Sequence, residues 1–174
     1  MKNKAMEVRL SQEVMDFLHS RRSLQLSSLT TEGAPYASYA PFAIGDECLY
    51  VLLSEIAVHA VNLKENPQAS VLVIEDEDSA EELFARIRVN YSVRAELLEY
   101  GSDAFAQGLE RLVERHGQRP ANLSELSDFR MFRLVPLGGR YVKGFGKAYN
   151  LAGESLAGEV LTHMRDGHKP RPAA

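Results

Sequence analysis

The sequence predicts a mainly β or α+β fold, an antiparallel barrel with short helices at its edges. Three observations point there. Ile87, Val89, Tyr91, Val93, Ala95 and Leu97 alternate with Arg86, Arg88, Asn90, Ser92, Arg94 and Glu96, the period of a strand with one buried face. Further strand-like runs are joined by short turns such as Thr31-Glu32-Gly33-Ala34-Pro35 and Gly45-Asp46-Glu47, as antiparallel neighbours require. Finally, Asp128–Asn150 reads as two strands about a Pro136-Leu137-Gly138-Gly139 turn. In the second of these strands Tyr141, Lys143, Phe145, Lys147 and Tyr149 oppose Val142, Gly144, Gly146 and Ala148. Glycine inside a strand weakens it and marks a bulge, a bend or a close approach.

Element by element, Ser11 is a good N-cap for a helix with Val14, Phe17 and Leu18 on one face. Arg21-Arg22 suits its C-terminus. Strands follow over 24–29, 36–42 and 49–53. A short helix over 58–64 stops at Asn66-Pro67, since the residue before proline disfavours helix. Residues 70–74 and 87–97 are strands, and Ser102 opens a helix that closes near His116-Gly117. After the hairpin a last helix is expected over 154–164, and Asp166-Gly167 ends it.

The chain's 174 residues suit one domain, 1–174, with 165–174 as a C-terminal tail. No apolar run approaches the roughly 20 residues of a membrane span, and Met1–Arg9 has no hydrophobic segment after its lysines. Cys48 is the single cysteine, so no internal disulfide can form and a cytoplasmic setting is expected. A net charge of −4 lacks the basic field that non-specific nucleic-acid binding needs. An acidic loop over 75–82 and a basic tail with Arg165, Lys169 and Arg171 leave the charge uneven. There is no paired-cysteine or His-x-x-x-His zinc spacing, no P-loop and no Gly-x-Ser-x-Gly element.

Four stretches in order along the chain resemble one family. They are Arg22–Leu26 with Ser38–Phe42; Ala57–Pro67; Phe84–Arg88; and Asp128–Tyr149 with Gly167-His168. They are similar to the pyridoxamine-5'-phosphate-oxidase-like, FMN-binding split-barrel superfamily, and within it to the HugZ/HutZ-type haem-utilisation proteins. The Arg140-Tyr-Val-Lys-Gly-Phe-Gly-Lys-Ala-Tyr149 element is the most specific of the four.

The resemblance implies a homodimer of split barrels with two sites at the interface. Haem is the implied cofactor, degraded with an external electron donor. His168 would be the axial ligand of the haem iron, and Asp128 of the other subunit would orient it. Arg88 and Ser23 match positions near the haem in the family, and Arg86 and His59 are further candidates for holding the cofactor. On residue chemistry alone, His168 reads as a solvent-exposed tail residue, and Asp128 equally as a helix or turn cap. The cationic stripe of Arg86, Arg88 and Arg94 reads first as a face that is solvated or paired with the acidic loop, and His59 as an interface or capping histidine. Flavin-binding relatives hold the FMN phosphate near the start of the short helix, which corresponds here to Ala57-Val58-His59. The expected arginine or lysine is missing there, and a phosphate dianion favours fixed cations or several backbone donors. Three readings follow: a haem-degrading enzyme, a haem storage or delivery protein, and an FMN-dependent oxidoreductase.

Overall fold

Residues 4–163 and 168–173 are described by a computed structural model, which for 159–163 gives the backbone only. Nine strands form one antiparallel sheet: β1 Ser23–Leu29, β2 Pro35–Pro41, β3 Ala43–Ile44, β4 Leu49–Ser54, β5 Gln68–Ile74, β6 Arg88–Leu98, β7 Phe129–Gly144, β8 Lys147–Ala152 and β9 Glu159–His163. Their order is β2-β1-β5-β6-β7-β4-β3, with β8 on β7 and β9 on β8. The ladder is not closed by hydrogen bonds, yet its ends, β2 and β3, are separated in the chain by Phe42 alone. This is the split barrel. Helices α1 Lys4–Ser20, α2 Val58–Glu65, α3 Asp103–His116 and α4 Arg119–Ser124 flank it.

Alternation builds two cores. Leu24 and Leu26 of β1, Val71 and Val73 of β5, Val89, Tyr91 and Val93 of β6, and Phe132 and Leu134 of β7 fill the barrel, with Leu10, Val14 and Leu18 of α1 packed on them. Tyr50 and Met131 turn the other way, onto Phe105 and Leu112 of α3. Each such side chain contributes about 1.5–3 kcal/mol on burial. The β6 alternation holds through Ala95 and then breaks, so Leu97 is exposed and Leu98 is buried.

Three sequence expectations are corrected. First, α1 starts by Lys4, so Ser11 lies inside the helix and does not cap it. At the other end Arg21 donates from Nε to Ser20 O at 3.1 Å, as the sequence suggests, and Arg115 of α3 adds donation to Leu18 O, His19 O and Arg21 O.

Second, Pro136–Gly139 is not a turn. β7 runs through it as one strand, and the hairpin turn falls at Phe145-Gly146. On one side β7 pairs with β4 up to Leu134 and with β8 from Gly139, leaving residues 135–138 unpaired there. Proline, which lacks an amide donor, fits such a gap. On the other side Ser92 pairs with Gly138 and Val93 with Pro136, so Leu137 is the extra residue of a bulge. The glycine that permits close approach is Gly139, where a Cβ would strike Asn90 O and the Tyr91 ring. Gly146, with φ +70°, serves the turn instead.

Third, the helix expected over 154–164 is absent from its described part. Leu156 donates its amide to Glu47 Oε2 at 2.9 Å, and its carbonyl accepts from Tyr91 Oη at 2.6 Å. Both groups are therefore withdrawn from a helical ladder, and β9 follows. Met164, Arg165 and Asp166-Gly167 lie outside the described residues.

Candidate functional site

One face of the sheet from β2 to β7 forms an open groove of about 980 Å³. Cross-strand register lines up Tyr39, Gln25, Leu72, Asn90 and Arg140 across five strands. Arg88, two residues from Asn90, extends the same face and pairs with Val142. Among the described residues the lining contains two guanidinium groups, Arg88 and Arg140, and no carboxylate. A large ligand with an apolar body and anionic substituents suits that chemistry. Arg88 is held by donation to Arg86 O at 2.9 Å. Ser23 is exposed at the start of β1 and, by strand parity with Gln25, faces the same side. Arg86 points elsewhere. Its guanidinium donates to Glu75 O and lies 3.7 Å from Glu77, bracing the acidic loop.

His59 stands in the first turn of α2, and its Nδ1 lies 2.9 Å from Ser38 Oγ, a groove-lining hydroxyl. Burial pushes its pKa below the ordinary value, favouring neutral imidazole. Positions 57–59 therefore offer no fixed cation to a phosphate, and the α2 N-cap, Ala57, makes no side-chain cap bond.

Asp128, just before β7, is held at several points. Ser54 Oγ donates to its Oδ2 at 2.5 Å, and Glu55 N donates to its carbonyl at 2.8 Å. Arg130 Nη1 donates to Ser127 O and Phe129 O, the carbonyls on either side, at 2.7 and 3.1 Å. Arg130 Nη2 is in turn paired with Glu55 at 3.1 Å. Glu55 also takes Lys64 at 3.0 Å, and that bond, with the charge of Arg130, holds its carboxyl below the usual range. Among the described residues the Asp128 carboxylate caps no backbone amide, which sets aside the turn-cap alternative.

His168 is exposed, and its ring lies 4.6 Å from that of Phe145, tilted by 42°. Phe145 sits in the β7–β8 turn, three residues past Val142, the partner of Arg88. Asp128 stands before the other end of β7. The chain thus brings His168 toward the Arg88 end of the sheet and separates it from its own Asp128. Gly167, which precedes His168, lies outside the described residues.

Residues 10–143 match the Pyridoxamine 5'-phosphate oxidase family. The chain belongs to that family. Within it the chain is 42% identical over 168 residues to the Heme oxygenase HutZ of Vibrio cholerae, covering 97% of this chain and 94% of that protein. Among solved structures, HutZ from Vibrio cholerae, described as a heme storage protein, superposes with a TM-score of 0.70 at 42% identity, over 73% of this chain and 89% of that one. ChuZ of Campylobacter jejuni superposes with a TM-score of 0.77 at 29% identity, over 91% and 68%. A heme binding protein from Mycobacterium smegmatis gives 0.75 at 26% identity, over 85% and 60%. The chain is thus a pyridoxamine 5'-phosphate oxidase family member of the HutZ type.

Three residues at or near the candidate site, Ser54, Arg130 and Arg140, were not singled out by sequence. Ser54 reaches Asp128, and Arg130 reaches Glu55, through the register that sets Ser54 opposite Phe129, which only the folded β4–β7 ladder reveals. Arg140 opens the Arg140–Tyr149 element, but its place across from Asn90 depends on the bulge at Leu137. No helix among the described residues is long and apolar enough to cross a membrane.

Proposed function

We propose that the protein binds haem between two copies of itself and opens the macrocycle to release iron. His168 of one subunit would ligate the haem iron, and Asp128 of the partner subunit would accept the imidazole Nδ1–H. The observation that carries this reading is the state of Asp128: its main chain is held by the Glu55 amide and flanked by the Arg130 fork, Ser54 holds one carboxylate oxygen, and among the described residues no cation pairs with the carboxylate and no donor reaches its other oxygen. Kinship with HutZ supports the choice of ligand.

The groove's residues fit the group. Arg88 and Arg140 would neutralise propionates, and Gln25, Ser27, Leu72, Asn90 and Val142 give a strand face against which a flat macrocycle can lie. Once bound, haem supplies redox-active iron that can react with dioxygen when an external donor provides electrons. The protein's own work is to ligate, orient and partly exclude water. An aspartate on the imidazole fixes its tautomer and strengthens its donation to the metal. The tail's Pro170 and Pro172 keep the segment beyond His168 extended.

Degradation is separated from storage by adding ascorbate to the haem complex in the presence of a ferrous chelator. Loss of porphyrin absorption with iron captured by the chelator is expected. An intact porphyrin spectrum under reductant would leave the storage and delivery reading in its place. The flavin reading lacks a phosphate cation at Ala57–His59; a flavin spectrum in the protein as purified would reinstate it.

A further inference from the structure

We propose that Ser54 is a positioning residue for the haem ligand: its hydroxyl fixes which Asp128 oxygen, and which lone pair, is presented to the imidazole of the partner subunit. The proposal rests on the haem reading above and adds to it a residue with no other assigned role.

The torsion that turns an aspartate carboxylate is broad and has no deep well of its own. A carboxylate that must accept one directed hydrogen bond therefore needs something else to set its plane. Asp128 has that in Ser54. The 2.5 Å O–H···O⁻ contact is in the range of charge-assisted bonds, which are shorter and stronger than neutral ones. Ser54 is itself held, because Ile56 N donates to its Oγ at 3.1 Å and Ala57 N to its carbonyl at 3.0 Å. The hydroxyl's donor and an acceptor site are thus both committed, and the proton can point only at Asp128.

A turn-forming serine needs only the bond from Ile56, and its own proton could go to water. Here the proton goes to a carboxylate 74 positions away in sequence. The Glu55 amide and the Arg130 fork fix the Asp128 backbone at the same place. Main chain and carboxylate plane are therefore set independently, as a preorganised second shell requires. Oδ2 is taken by Ser54, and Oδ1 is left to accept the imidazole N–H.

The test is resonance Raman spectroscopy of the ferrous haem complex, which reads the iron–histidine stretch and hence the strength of the hydrogen bond on the imidazole. Wild type, Ser54→Ala, Ser54→Thr and Asp128→Asn are compared, with His168→Ala as the control for ligation. The expected result is a stretch that moves down in Ser54→Ala toward the Asp128→Asn value and returns in Ser54→Thr, while haem still binds. If His168→Ala loses the band but Ser54→Ala matches wild type, the Ser54 role is overturned and the haem reading stands. An upward move in Ser54→Ala also overturns it, since Ser54 would then be competing for the carboxylate's charge and not aiming it. If the band survives in His168→Ala, the ligand assignment fails and this proposal falls with it.

Discussion

Asp128 and Phe145 bracket strand β7: the aspartate stands immediately before it, and the ring that His168 packs on stands immediately after it. Sixteen residues of strand lie between them, roughly 50 Å of extended chain before bulging and coiling shorten it. A histidine at one end cannot serve an aspartate at the other within one subunit, whereas a two-fold partner can bring the ends together.

That geometry predicts complementation between subunits. Mixing His168→Ala with Asp128→Asn chains and allowing exchange should give wild-type-like sites in about one quarter of the total, because only the mixed dimer pairs an intact histidine with an intact aspartate. The iron–histidine stretch at its wild-type position is the readout. Were the two residues to pair within one chain, no mixing ratio would restore it.

Gly139 and Gly144 should respond oppositely to alanine. At Gly139 the new Cβ meets the backbone of Asn90 and lies 2.7 Å from the Tyr91 ring, so the β6–β7 ladder must part. A loss of about 1–3 kcal/mol is expected, as for other overpacked sites. At Gly144 the Cβ finds only Lys147 Cδ at 3.8 Å, and the urea midpoint should barely move.

His59 should give stability a pH dependence of known sign. Its folded pKa lies below the ordinary 6.5 because burial disfavours the charged ring. The unfolded chain therefore binds more protons as pH falls below about 6.5, and stability declines from there until the depressed folded value is passed. Urea unfolding between pH 5 and pH 8 should show this slope in wild type and a flatter one in His59→Gln. Equal slopes would mean that the imidazole is not desolvated.

Much of this fold was legible because one face of each long strand is apolar. The alternation along β6, the Ser102 cap of α3 and the stop of α2 before Pro67 all follow from local chemistry, and the structure has each of them. What misled were segments whose conformation is decided by distant partners. Pro136 reads as a turn until β7 is seen passing from β4 to β8, and Leu156 reads as helical until Glu47 and Tyr91 claim its backbone. The candidate site divides in the same way. Its named residues could be chosen by resemblance, whereas the Ser54 bond to Asp128 and the pairing of Arg130 with Glu55 exist only through long-range register.

The central claim, haem held by His168, is tested most directly by titrating the purified protein with haem and recording the Soret band. Wild type should give a saturable, shifted band characteristic of imidazole ligation, and His168→Ala a different spectrum or none. The same Soret band in both proteins would contradict the account.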